Sequence, residues 1–436
     1  MTFRRFVKLF IPQKIFKKIE TYGHLGEAVV FNVLYRFPAR RMNVIGVTGT
    51  SGKTSTCFLV HRMLHEAGYK VGLMTTVAYG AGSDIKPNNY HMTSVPTPEL
   101  MRCIKDFRNK KIDWLVLETS SQALAQNRVW GIPYSIAVMT NVTHEHLDYH
   151  RTFERYREAK RKLFRWCDRN QHGLRVGVIN ADDPSAKLFA ASIKRPITYG
   201  IERGDMKATK IALQPDGISY QVEHDKKIIY SIKCQLPGKF NVYNSLVAAS
   251  IGNVLGLNRN QVEKGIAALE SVEGRMTRVD EGQDFTVLVD FAHTPDSFEK
   301  LLSDMRPIVK GKMIVLFGSP GRRDEAKRAI QGEISGRYAD VIVATEDDER
   351  DADGQEIMRQ IAEGAELAGK VIGKDVFMVH NRTEAIQYAI NLAHKGDAVL
   401  LLGKGHEKTI ARADGDHPWN EVGAARTAIK NRLKEK

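Results

Sequence analysis

Twice along the chain, short apolar runs alternate with helix-length amphipathic segments, and this alternation limits the fold more than any other feature. The first series is NVIGV, KVGLMTTV, DWLVLETS, SIAVMTNV and RVGVIN, with helical patterns at 54–66 and 154–164 between its members. Runs this brief, rich in Val and Ile and bounded by turn residues, read as buried strands. Strands separated by helices imply a mostly parallel, doubly wound sheet. A more polar stretch, ATKIALQPDGISYQVEHDKKIIYSIKCQLPG, then alternates with period two around Pro215, Asp216 and Gly217, and predicts small antiparallel hairpins appended to the first domain. Helical patterns at 241–257 and 261–269 lead to SVEGRMTRVDEG, where a domain junction is expected. Beyond it a second series begins, FTVLVDFA, KMIVLFGS, DVIVATED, VFMVHN and AVLLLGKG.

At 436 residues the chain exceeds what one core usually serves. The expected division is an arm over 1–41, a central domain over 42–271 and a C-terminal domain over 272–436. In the central domain NVIGV runs into TGTSGKTS, a glycine-rich turn that opens a helix at Lys53 and Thr54. Glycines let the backbone approach phosphates, amides at the helix start accept their oxygens, Lys53 neutralises β/γ charge, and the Thr54 hydroxyl can reach a magnesium ion. The strict G-x-x-x-x-G-K-[ST] spacing fails by one position, since Val47 stands five residues before Gly52. The fold class read from these patterns is α/β: a P-loop doubly wound central domain with appended hairpins, followed by a Rossmann-like α/β C-terminal domain.

The formal net charge of +14 favours anionic partners. No nucleic-acid-binding motif accompanies it, so nucleic acid is not expected. Basic residues crowd the first 41 positions and the stretch 151–169. In the arm, Phe3, Phe6, Val7 and Phe10 stand at helical spacing beside Arg4, Arg5 and Lys8; beyond Pro12, Ile15, Phe16 and Ile19 repeat the pattern beside Lys14, Lys17 and Lys18. No run there is long enough to span a bilayer and no cleavage site follows. Two readings stay open: a helix packed on the body of the protein, or peripheral contact with an anionic membrane. The four cysteines, Cys57, Cys103, Cys167 and Cys234, are scattered and read as reduced thiols of a cytoplasmic protein, at most at the inner face of the membrane. No dimer surface is visible, and monomer is the default.

The loop variant TGTSGKTS, together with LETSSQALAQNRV, TNVTHEHLDYHRTFERYREAKRKLF, INADDP, GRMTRVDEGQDFTVLVDFAHTP, FGSPGRRDEAKR and LLGKGHE, resembles the Mur ligase superfamily, block by block and in order from Met42 nearly to the end. The likeness is greatest to the branch that adds the third residue to UDP-N-acetylmuramoyl-L-alanyl-D-glutamate. What the resemblance implies is ATP-dependent amide formation: the γ-phosphoryl group passes to a substrate carboxylate, an acyl phosphate forms, and the amine of an incoming amino acid displaces phosphate. The cofactors implied are ATP and two magnesium ions.

The resemblance also assigns residues. Gly49, Thr50, Ser51, Gly52, Lys53, Thr54 and Ser55 would hold ATP, with Asn244 near the base and Arg275, Asp290 and His293 approaching ribose and phosphates from the C-terminal domain. Glu118, His146 and Lys160 would join Thr54 as metal-site residues, and Lys160 would be carbamylated, turning an ammonium into an anion. Taken singly, Glu118 could be a solvated or capping carboxylate, His146 a structural histidine and Lys160 one cation on a solvated helix face; Glu145 stands where the family carries Asp. Thr97, Ser120 and Arg128 correspond to acceptor contacts, although Pro96 and Gln122 depart from the usual pattern. Arg323, Asp347, Asp348, Arg350, Gly403 and Glu407 correspond to the site of the incoming amino acid. Arg350 there can clamp a second carboxylate and favours meso-diaminopimelate, whereas the neighbouring Glu349 can attract an amine.

The expected acceptor is the D-Glu carboxylate of a UDP-N-acetylmuramoyl dipeptide. Family members carry an N-terminal domain of roughly a hundred residues for the UDP end, a size that needs its own core, and the arm is expected to stand in its place. Three alternatives remain: a Mur-type ligase working on a lipid-linked or other carboxylate acceptor at the membrane, a ligase like folylpolyglutamate synthetase, and a catalytically silent binding partner.

Overall fold

The computed structural model describes residues 13–88, 95–143, 145, 147–322 and 324–435. The apolar positions of the arm before Pro12, and the candidates His146 and Arg323, lie outside them. Packing divides the chain into two compact units, the first comprising 1–211, 219–233 and 242–269, the second 212–218, 234–241 and 270–436.

The first unit is built on β1 (Asn43–Thr48), β2 (Val71–Met74), β3 (Ala78–Ala81), β4 (Asp84–Pro87), β5 (Trp114–Glu118), β6 (Tyr134–Met139), β7 (Val176–Asn180), β8 (Arg195–Gly200) and most of β9 (Met206–Gln214), β10 (Gly217–His224) and β11 (Lys227–Cys234). They form one sheet in the order β11-β10-β9-β8-β7-β6-β1-β5-β2-β3-β4. The pairs from β2 through β5, β1, β6 and β7 to β8 are parallel. Every residue of β5, β6 and β7 is buried, as continuous apolar runs covered by helices require. The expected hairpin strands are appended to the first domain through its main sheet, where β9 pairs in parallel with β8. KVGLMTTV is divided: β2 ends at Met74, and the Thr75 hydroxyl bonds the Ala78 carbonyl (2.9 Å) to start the antiparallel pair β3–β4.

The chain leaves β1 towards β2 and β5 on one side and resumes at β6 on the other. That reversal makes the carboxyl end of β1 a topological switch point, where open α/β sheets bind ligands.

The second unit holds β12 (Thr277–Arg278), β13 (Thr286–Asp290), β14 (Met313–Phe317), β15 (Val341–Ala344), β16 (Val376–Met378) and β17 (Ala398–Leu402) in the order β12-β13-β17-β14-β15-β16, parallel except for β12. A two-stranded ribbon, β18 (Thr409–Arg412) with β19 (Gly415–Pro418), follows. Its helices Ala326–Tyr338 and Gly354–Leu367 approach so closely that a Cβ on Gly364 would stand 2.0 Å from the Ala329 carbonyl oxygen. No helix among the described residues is long and apolar enough to cross a membrane.

Candidate active site

The glycine loop lies between β1 and the helix Lys53–Glu66. Gly52, which precedes that helix, has a φ of +80°, and a Cβ there would stand 2.4 Å from the Asn244 amide oxygen, so glycine is required on both counts. The same Asn244 oxygen accepts from the Thr56 hydroxyl (3.2 Å), which fixes the helix Phe240–Val254 against the loop. A Cβ on Gly49 would meet the Thr140 hydroxyl at 1.8 Å.

The segment after β6 staples the loop. Asn141 Oδ1 accepts from the Ser51 amide (2.9 Å), Thr140 Oγ1 donates to the Ser51 carbonyl (2.7 Å), and Thr50 Oγ1 accepts from the Thr143 amide (2.9 Å) while meeting Tyr156 Oη at 2.9 Å. Thr54 and Ser55, in the first turn of the helix, are buried.

Glu118, the last residue of β5, is also buried, and its Oε2 accepts from Thr54 Oγ1 (3.0 Å) and from the Thr76 amide (2.9 Å). Two hard oxygen donors thus meet at the strand ends, a set suited to magnesium. Lys160 projects from the helix Phe153–Arg169, whose inward face is Tyr156, Lys160, Leu163, Phe164 and Cys167. Its Nζ donates to the Gly49 carbonyl (2.6 Å), which also accepts from Lys53 Nζ (3.1 Å); Lys53 reaches the Thr50 carbonyl as well (2.7 Å). Burial, and then the charge of Lys53, push the Lys160 amine well below the usual lysine range, against a smaller opposing pull from Glu145.

Of the acceptor candidates, Thr97 opens the helix Thr97–Asn109 and its hydroxyl reaches the Arg128 carbonyl (3.3 Å). Ser120, two residues past Glu118, caps the helix Ser121–Ala125 by accepting from the Ala123 amide (3.2 Å). Beside Glu118 opens a pocket with Met74, Val95, Leu100, Leu117 and Val129 in its wall.

In the second unit, Arg275 lies over the Phe291 ring (4.8 Å), against which His293 and His406 also pack (4.6 and 4.8 Å). Asp290 ends β13 and accepts from the amides of Met276 and Ala292 (both 2.8 Å). Burial raises its carboxyl above the ordinary range, with Arg275 opposing. Three amino-acid-site candidates, Asp347, Asp348 and Glu407, converge on a residue that sequence reasoning passed over. The fully buried Lys404 lies 3.5, 2.8 and 2.7 Å from their carboxylates. Burial lowers the tendency of this ammonium to hold its proton, but the three carboxylates outweigh it and hold its pKa high. Its position in GKGHE, directly past the apolar AVLLL, was the available signal. These carboxylates alone could ligate a cation, but the ammonium fills that role. Gly403, at φ +102°, starts this turn. Arg350, at φ +56°, donates to the Gly321 carbonyl (2.7 Å).

Comparison with known proteins accounts for both units. Residues 47–252 match the Mur ligase middle domain, and residues 274–405 match the family described as Mur ligase, glutamate ligase domain. The UDP-N-acetylmuramyl-tripeptide synthetase of Roseiflexus sp. (strain RS-1) is 40% identical, over 91% of this chain and 80% of that protein. The chain belongs to the Mur ligase family. A second relative of this Mur ligase, the UDP-N-acetylmuramoyl-L-alanyl-D-glutamate--2,6-diaminopimelate ligase of Geobacillus thermodenitrificans (strain NG80-2), is 38% identical over 93% of this chain and 82% of its own. A solved structure of a ligase with that same activity in its name superposes with a TM-score of 0.66, covering 95% of this chain and 83% of the other at 26% identity. This Mur ligase is accordingly an ATP-dependent, ADP-forming ligase.

Proposed function

We propose that this Mur ligase joins an amino acid to the D-Glu carboxylate of UDP-N-acetylmuramoyl-L-alanyl-D-glutamate during peptidoglycan precursor synthesis, and that the amino acid is meso-diaminopimelate. The observation that carries the chemistry is the meeting of Thr54 and Glu118 beside Lys53 and Lys160 at the switch point. The acceptor and the amino acid follow from the named activities of the relatives and from Arg350, whose guanidinium suits a second carboxylate.

In this reading Gly49 to Ser55 cradle the ATP phosphates through backbone amides, and Lys53 exchanges its two carbonyl partners for phosphate oxygens. Asn244, Arg275, Asp290 and His293 serve the nucleotide, while Thr97, Ser120 and Arg128 serve the acceptor. Thr54, Glu118, His146 and a modified Lys160 hold magnesium, which when bound offsets the charge gathered on the transferring phosphoryl group. The depressed amine of Lys160 supplies the neutral nucleophile that carbamylation needs: nitrogen bonds to the carbon of CO2, one proton leaves, and a carbamate anion replaces the neutral amine. The acceptor carboxylate attacks the γ-phosphorus and ADP departs; the amine then attacks the acyl carbon, phosphate leaves, and an amide remains. Asp347, Asp348, Arg350, Gly403 and Glu407, with Arg323, orient the amine donor.

Product masses decide the matter. The enzyme is given ATP, magnesium and UDP-N-acetylmuramoyl-L-Ala-D-Glu with diaminopimelate, with lysine, or with no amino acid. One amide per ADP with diaminopimelate is expected; amide with lysine alone would reassign the amino acid, and no amide with either would overturn the proposed acceptor.

A further inference from the structure

Over residues 22–34, the helix Gln13–Leu34 buries one side and exposes the other. His24, Ala28 and Asn32 are buried; Asn32 Nδ2 donates to the Trp130 carbonyl (2.9 Å), and Gly131 lies so close that a Cβ there would touch the Asn32 amide at 2.7 Å. Just past the helix, Arg108 donates to the Tyr35 carbonyl (3.0 Å) and Lys105 lies over the Tyr35 ring. The helix end is therefore held to the first unit with a fixed face turned outward.

That outward face carries no charge. Tyr22, Gly23, Gly26, Val30, Val33 and Leu34 fall within roughly one third of the helix circumference, and all six are exposed. Tyr22, Val30, Val33 and Leu34 leave 76, 60, 59 and 63% of their surface open. In the sequence Ile15, Phe16 and Ile19 continue the same spacing towards the amino end. Single exposed apolar residues are ordinary, but a continuous charge-free stripe marks a surface that meets something. Its surroundings state the polarity of the partner. Arg36, Arg40 and Arg41, which follow Leu34 in the chain, are exposed, none of them ion-paired among the described residues, and Lys14, Lys17 and Lys18 share the helix. Of the two acids in the helix sequence, Glu20 and Glu27, Glu27 lies 3.5 Å from His24.

We propose that this helix lies flat on an anionic lipid surface, with the stripe from Tyr22 to Leu34 among the acyl chains and Arg36, Arg40 and Arg41 at the headgroups. An apolar strip bordered by cations is the arrangement that binds at a bilayer interface without crossing it. The proposal is independent of the acceptor and amino acid assigned above.

Flotation of the full chain with vesicles tests it. Binding is expected to phosphatidylcholine vesicles containing phosphatidylglycerol, to weaken with salt, and to be slight with phosphatidylcholine alone. Val30→Glu with Leu34→Glu, both on the open face, should lower partitioning by about tenfold or more; circular dichroism and the melting temperature report whether the variant keeps its fold. Equal binding to both vesicle types, or undiminished binding by the folded variant, overturns the proposal. So does a dimer in solution that the same two substitutions dissociate, which would make the stripe a contact between copies of the chain.

Discussion

At the scale of single residues, two lysines that composition would place at the surface are buried, for opposite reasons. Burial, and then the neighbouring Lys53, drive Lys160 towards its neutral form, whereas the carboxylates around Lys404 outweigh its burial and hold it charged. They answer substitution differently. Lys160→Ala should lower kcat by about two orders of magnitude or more, the scale of losing a charged contact in a transition state, and should abolish a carbamate carbon resonance seen when the native protein is given labelled bicarbonate. Native turnover by the variant would remove Lys160 from the site. Lys404→Met leaves Asp347, Asp348 and Glu407 facing one another and should cost about 3 kcal/mol or more in denaturant unfolding. Lys404→Arg should recover most of that, as should adding Asp348→Asn to the methionine variant; an unchanged midpoint for Lys404→Met would show that the cluster does not depend on its cation.

At the scale of elements, the helix Lys53–Glu66 carries its own acid sensitivity. His61 is buried on it, and burial, followed by the nearby His65, lowers its pKa to about 4 from an ordinary value of 6.5. The fold favours the neutral ring, so this contribution is complete above pH 6.5 and drains away as the pH falls towards 4. The loss amounts to about 3 kcal/mol. Urea midpoints measured from pH 7 to 4.5 should fall more steeply for the native chain than for His61→Gln, and parallel curves would exclude the effect. Neighbouring elements explain what sequence patterns revealed. VGVIN and AVLLL were legible as strands because burial on both faces leaves unbroken apolar runs. β4 was not, since DIKP lies at the sheet edge with little to bury. The burial of Lys160 was legible in principle, because Tyr156, Leu163, Phe164 and Cys167 share its face at helical spacing, although the many cations of that helix conceal the pattern.

For the whole molecule, the alternation of strand and helix was enough to identify two α/β assemblies, because it depends only on which segments must leave water. Contacts between distant residues were another matter. Thr54 and Glu118 are 64 positions apart and meet because β1 and β5 are adjacent and parallel, a relation the switch-point rule supplies. No such rule brings Lys404 to Asp348, 56 positions away, since charge in a sequence does not disclose burial. The net charge of +14 also acts at this scale. Stopped-flow association of a fluorescent ATP analogue should slow several-fold between low and physiological ionic strength, while an equally charged cationic ligand gains speed; indifference to salt would mean that the surplus lies too far from the loop to steer anything.

The Gly49 carbonyl, which both Lys53 and Lys160 address, has a calorimetric consequence. Before any phosphate arrives, Lys53 already donates to the loop's own carbonyls, so docking an anion exchanges one set of partners for another. Binding heat should therefore be small for the number of contacts made, and the driving force should appear as released water and ions, with an affinity that weakens little on warming.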